Sequence, residues 1–231
     1  MITSLLSSPA FIWIAMIVIM LLSMLISNRL QSRFAKYKEV PLNISGAEVA
    51  QRMLASHGIR DVQITCIEGT LTDHYNPQTK TVNLSKDVYY GKHVAAAAVA
   101  AHECGHVVQH QVGYLPLRMR SALVPVVSFA NNIVSWVLLA GVLLVEAFPQ
   151  LLWAGIILFA LTTLFSFVTL PVEINASARA VGWLEDAGIV SYETKDMAVD
   201  ALKWAAYTYV IAAIGSLANL LYYITIARNR R

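Results

Sequence analysis

Ala100-Ala101-His102-Glu103-Cys104-Gly105-His106-Val107-Val108-Gln109-His110 carries the pattern H-E-x-x-H at His102, Glu103 and His106. On a helix, residues four apart project from one side, one turn apart. His102 and His106 can therefore each give an imidazole nitrogen to a single Zn²⁺. Glu103 adjoins that face three residues before His106, where a carboxylate can take a proton from a water activated by the metal. The reading requires a helix and a third protein ligand. The preceding stretch, Val94 to Ala101, is mostly alanine. Alanine favours helix and lets backbones approach closely, whereas leucine is expected where a face meets lipid. The spacing predicts a helix from about His93 to about Val112, ended by Gly113.

Outward from the motif, the chain is strongly apolar. Of its 231 residues, 57% are hydrophobic and 13% charged, against a charged share of about 25% in ordinary globular proteins. The mean hydropathy is +0.58. Four uncharged runs are long enough to cross a bilayer: residues 1–28, centred on Phe11 to Ile26; Ser121 to Val145; Ala147 to Val172; and Ala205 to Ala227. The first has no basic start and no small-x-small site before Asn28-Arg29, so an uncleaved anchor is expected. The net charge of +3 is modest, and the basic residues cluster beside the apolar runs. That pattern fits lipid headgroups and excludes a nucleic-acid surface. Two cysteines, Cys66 and Cys104, are too few for a disulfide scaffold. Cys104 lies two positions from either histidine and points away from them on a helix, so a buried free thiol is expected there.

The expected organisation is an anchor over 1–28, a polar portion with the motif helix over 29–120, a transmembrane hairpin over 121–172, polar helices over 173–204, and a last span with a basic tail over 205–231. Within the polar portion, Arg29 to Lys38 reads as a basic amphipathic segment lying at the membrane surface. Asn43 or Ser45 can cap a helix running to about His57, and Gly58 stops it. Asp61 to Ile67 alternates as a strand, with Val62, Ile64 and Cys66 on one side. Leu71 to Leu84 reads as two strands around Asn76-Pro77. Pro171 is expected to open a polar helix to about Ala187, closed by Gly188, and a further helix from about Tyr192 to run into the fourth apolar run. The fold class is a mainly α membrane protein with about four transmembrane helices and a small α+β, zincin-like polar portion.

Two histidines leave zinc short of a protein ligand. Glu146 sits at the far end of the hairpin, about one bilayer thickness from the motif. Glu185, Asp186, Glu193, Asp196 and Asp200 fall in segments that read as solvated helix ends and turns. Glu173 follows the third run on the motif's side of the membrane. Ala176, Ser177, Ala178 and Ala180 would let its helix pack closely on the alanine-rich one. It is the expected third ligand, with one position left open for water. Asn175, Ser177 and Arg179 are candidate supporting or substrate groups, each equally readable as helix surface. His110, eight residues after His102, is expected to be a hydrogen-bonding histidine outside the ligand set; His74 is a candidate groove residue or a satisfied surface group.

The order H-E-x-x-H, membrane hairpin, then Glu173-x-x-Ala176-Ser177-x-Arg179-Ala180 resembles the bacterial membrane neutral zinc metallopeptidases of the YugP type. The resemblance extends over nearly the whole chain, including Asp73-His74-Tyr75, Leu84-Ser85 and Ala206 to Val210. More distantly, the arrangement is similar to gluzincin membrane proteases. Those carry E-x-x-x-D after the hairpin, with the aspartate supporting a zinc-bound histidine. This chain has Ser177 there, a group that can accept an imidazole N–H but contributes no charge.

The function these features imply is a membrane-embedded, zinc-dependent endopeptidase acting on membrane-associated or unfolded proteins, with Zn²⁺ as cofactor and Glu103 as general base. Its partners are membrane lipid and protein or peptide substrates, with no nucleic acid; a regulatory membrane partner is compatible with this reading. Two alternatives stay open. One is an intramembrane site-2-type metalloprotease, although such sites use an aspartate in a later span and the later runs contain none. The other is a non-catalytic scaffold with a structural zinc. Localisation is expected to be a multi-pass cell membrane protein, its catalytic side cytoplasmic by the positive-inside rule.

Overall fold

The computed structural model describes residues 9–229. The anchor's residues 1–8 and the tail residues Arg230 and Arg231 lie outside them. The element order is α1 (Pro9–Lys38), α2 (Gly46–Ser56), β1 (Gln63–Ile67), β2 (His74–Asn76), β3 (Thr81–Ser85), α3 (Lys86–Tyr89), α4 (Val94–Gln111), α5 (Leu115–Leu143), α6 (Pro149–Asp186) and α7 (Tyr192–Asn229). Four of these, α1, α5, α6 and α7, are long and apolar enough to cross a membrane. The chain divides into two compact units.

The apolar unit holds, within the described residues, 9–25, 119–170 and 208–229. Val134, Leu138, Leu152, Ile156 and Ala227 are buried together. At the closed end of the α5–α6 hairpin, a Cβ on Gly141 would lie 2.6 Å from the Cα of Leu152, so only glycine lets the two backbones come so near. Thr163 and Ser216 share a hydroxyl hydrogen bond of 2.7 Å between α6 and α7. The outer faces carry large apolar side chains such as Phe129, Trp136 and Ile157, all exposed. In a membrane that surface meets acyl chains.

The polar unit holds 26–118 and 171–207. Ser45 caps α2 with a full capping box, its hydroxyl accepting from the Glu48 amide. The apolar side of α2, with Val49, Ala50, Met53 and Leu54, joins Val82 and Leu84 of β3 and the alanines of α4 in one core. The sheet has the order β1-β3-β2. β1 runs parallel to β3 and β2 antiparallel to it. Asn76 shapes the β2–β3 turn by accepting hydrogen bonds from the amides of Gln78 and Thr79. His93 caps α4, its Nδ1 accepting from the Ala96 amide at 3.1 Å. The α4 residues Ala95 to Ala98 are all buried, as their small size implied.

Four expectations are corrected. Residues 29–38 do not form a separate surface segment; they are the last turns of α1. Nothing between Asn28 and Lys38 breaks a helix, and Asp200 of α7 holds that end by accepting from Tyr37 Oη at 2.6 Å and pairing with Arg33 Nε at 3.3 Å. Asp200 is therefore a packed group, not one at a solvated end. Pro171 does not start a helix but lies inside α6. Its fixed φ suits a helix; the cost is the missing N–H, which would have met the Phe167 carbonyl, and the crowding of that carbonyl by the ring. Cys66, which the alternation grouped with Val62 and Ile64, is exposed, whereas Ile64 is half-buried.

Candidate metal centre

Helix α4 places the motif, and close packing places its partner. A Cβ on Gly105 would lie 2.6 Å from the carbonyl oxygen of Ala176, so glycine facing alanine brings α4 and α6 to near backbone contact. Across that contact, Glu173 Oε2 is 3.2 Å from His102 Nε2 and 3.6 Å from His106 Nε2. One donor atom from each of the three residues falls within 4.8 Å of the others. Tetrahedral zinc with bonds of about 2.05 Å sets its ligand atoms about 3.3 Å apart. The two measured spacings bracket that value, and two imidazoles with one carboxylate are a donor set zinc accepts. Glu173 is 2% exposed and His106 8% exposed, so the cluster is largely closed to bulk water.

The rear nitrogens of both rings are held. His102 Nδ1 is 3.1 Å from Ser177 Oγ. His106 Nδ1 is 3.0 Å from Gln109 Oε1. With each Nδ1 so engaged, each Nε2 faces Glu173. Burial resists protonation of His106, but the hydrogen bond to Glu173 and the negative charges of Glu103 and Glu173 outweigh it and raise its pKa. A proton and a metal thus compete for His106. Cys104 takes no part: burial, then the nearby Glu103 charge, hold its thiol protonated, and its sulfur faces the Ala50 carbonyl.

Glu103 is 8% exposed and accepts a hydrogen bond from the Tyr75 amide at 3.1 Å through Oε2. Tyr75 belongs to β2, an edge strand of the sheet. The carboxylate that adjoins the two histidines in sequence therefore sits against a strand edge.

Of the other candidates, Ser177 reaches the cluster through His102. Asn175 reaches it through Gln109, which donates to its Oδ1 at 3.0 Å, and Arg179 Nε donates to the same oxygen at 2.8 Å. His110 lies outside the ligand group and meets the Tyr75 hydroxyl at 3.0 Å. His74 is on β2, facing the Thr72 carbonyl and Asn83. Sequence reasoning missed Gln109 and the Tyr75 amide. Gln109 had a signal, since a residue three after His106 shares its helix face. The Tyr75 amide had none, because a backbone group is the same at every position.

A model of the family described as "Putative neutral zinc metallopeptidase" matches residues 12–228 of the chain. The chain is 41% identical over 205 residues to "Putative membrane protease YugP" of Bacillus subtilis (strain 168), covering 88% of this chain and 90% of that relative. No solved structure matches it.

Proposed function

The chain belongs to the neutral zinc metallopeptidase family, and on that premise we propose that it is a multi-pass membrane endopeptidase of gluzincin type. His102, His106 and Glu173 would hold zinc. The observation that carries this reading is their convergence, with donor atoms of all three within 4.8 Å of one another. When bound, the ion supplies Lewis acidity that polarises a scissile carbonyl and draws the pKa of a water toward neutrality. The chain's own residues do the rest. Glu103 takes the proton from the attacking water and passes it to the leaving amine. The Tyr75 amide aims the Glu103 carboxylate. Ser177 and Gln109 hold the two imidazoles.

The substrate is an extended chain. A helix hides its amides in its own hydrogen bonds, whereas an extended backbone leaves its carbonyls and amides open and can run past Glu103 beside β2. Glu173 follows the apolar run of α6 by three residues beyond Leu170, about one helical turn, which supports a preference for juxtamembrane or locally unfolded segments of membrane-attached proteins. Arg29, Arg33, Lys36 and Lys38 after the first span, and Arg118 and Arg120 before the second, favour a cytoplasmic catalytic side. Arg228, Arg230 and Arg231 pull the other way, and the larger, earlier cluster is taken to dominate. A Lys80→Cys variant should resist impermeant thiol reagents in whole cells; labelling there would reverse the orientation.

The deciding experiment pairs zinc content with cleavage of an unfolded reporter. Glu103→Gln should keep about one zinc per chain and lose activity by about 10²–10⁴-fold. Undiminished cleavage by that variant would assign the chemistry elsewhere. Fusing one cleavable segment to membrane-anchored and to soluble reporters in vesicles tests the positional preference. Equal cleavage of both would remove it and leave the zinc chemistry standing.

A further inference from the structure

Gln109 is a fully buried polar side chain at 0% exposure, placed one turn beyond His106 on α4. Such a residue persists only if every polar atom is matched. Its Nε2 faces two oxygens, the Val172 carbonyl at 2.8 Å and Asn175 Oδ1 at 3.0 Å. Neither oxygen can donate, so the amide nitrogen must lie on that side and Oε1 must face His106 Nδ1 at 3.0 Å. Oε1 can only accept. His106 must therefore carry a proton on Nδ1, which leaves Nε2, on the Glu173 side, as the only nitrogen it can offer a metal. Asn175 is itself held, since Arg179 Nε donates to the same Oδ1 at 2.8 Å. The donors run one way, from Arg179 and Gln109 into Asn175 and from His106 into Gln109.

His102 is supported differently. Its Nδ1 meets the Ser177 hydroxyl, which can donate or accept and so does not select a tautomer alone. We propose that Gln109, anchored by Val172 and Asn175 of α6, is the positioning residue that fixes His106 in its metal-ligating tautomer and ties that ligand to the helix bearing Glu173. The inference rests on the proposed zinc site and concerns the chain's own residues. Partners behind a metal-bound histidine commonly contribute about 10–100-fold in metal affinity.

The test uses the full chain in detergent or lipid nanodiscs and reads zinc affinity by chelator competition, the visible spectrum of the Co²⁺-substituted protein, and thermal stability without metal. Gln109→Leu removes both the acceptor and the donors. Gln109→Glu keeps an acceptor for His106 Nδ1 but loses the donors to Val172 and Asn175. Both should lower the metal-free melting temperature. Only Gln109→Leu should bind zinc about 10–100-fold more weakly and shift the Co²⁺ bands, with Gln109→Glu staying within a few-fold of wild type. Equal losses in the two variants, tracking stability, would reduce Gln109 to a packing role and overturn the proposal. So would wild-type affinity in Gln109→Leu. If that variant does not fold, Asn175→Ala decides: a several-fold loss of zinc affinity is expected, and an unchanged value overturns the proposal. Wild-type protein without zinc bound through His102 and His106 would instead sink the zinc reading itself.

Discussion

The two units of this protein solve opposite packing problems. In the apolar unit, small residues and one hydroxyl pair hold helices together while Phe129, Trp136 and Ile157 point outward. In the polar unit, an alanine helix is buried on nearly all sides and carries Glu103, His106 and Gln109 at 0–8% exposure. Both bring backbones together at a glycine, Gly141 in one and Gly105 in the other. The first contact builds a hairpin, the second gathers His102, His106 and Glu173. Close helix packing is thus a common device whose consequence depends on the polar residues around it.

The largest expected effect breaks the polar side of that comparison. Glu173→Ala should lower zinc affinity by three orders of magnitude or more, on the order of 4 kcal/mol, through loss of one of three protein ligands. Equilibrium dialysis against a zinc buffer measures it. Full occupancy in this variant, with loss on replacing another acid, would reassign the ligand.

Next comes one substitution made in both units. Phe129→Arg, on the outer face of α5, should cost about 2.5–3.5 kcal/mol in a bilayer, because arginine there must be buried in hydrocarbon. Tyr192→Arg, at the 90% exposed start of α7 in the polar unit, should change stability by no more than about 0.5 kcal/mol. Unfolding in lipid bicelles reads both. Equal costs would mean the two outer surfaces face the same solvent.

The paired glycines sharpen the contrast further. Gly105→Ala and Gly141→Ala each push a Cβ to 2.6 Å from backbone atoms and should each destabilise by about 1–3 kcal/mol. Only Gly105→Ala should also weaken zinc binding, since it displaces α6 at Ala176, beside Glu173, whereas Gly141 meets the far end of α6 at Leu152. A zinc defect in Gly141→Ala would contradict that division.

The smallest effect concerns pH. Burial lowers the pKa of His93, helped by Lys38 and opposed by Asp87 and Glu39. The folded state therefore binds that proton less readily than the unfolded one. Its cap on α4 contributes fully above the unfolded value, about 6.5, and is lost as pH falls through the folded one. A loss of about 1 kcal/mol is expected, read as a falling melting temperature on acidification. His93→Asn keeps a side-chain acceptor that does not titrate and should flatten this part of the profile.

The motif was readable because its information is local. His102 and His106 lie four apart, so helical periodicity alone puts them together, and alanine at 95–98 announced a buried helix. The capping box at Ser45 and Glu48 was half readable for the same reason: Ser45 was one of two possible caps. Glu173 was reached only by comparing the few acids along the chain. Where reading failed, a distant contact had overruled local preference. Asp200 looked solvated in its own segment but meets Tyr37, 163 residues away. Pro171 looked like a start, and the helix ran on through it.

Composition and periodicity by themselves determined that four helices can span a membrane, that α4 is buried, and that His102, Glu103 and His106 lie within one turn or so along one side of it. Those properties follow from side-chain spacing and transfer free energy, which each segment carries alone. Only the tertiary structure decided that β1 pairs in parallel with β3, that the Tyr75 amide meets Glu103, and that Gln109 joins His106 to Asn175. The last contact spans 66 residues and depends on how closely α4 and α6 approach. A distance between backbones is set by the packing of both helices at once, and no single segment encodes it.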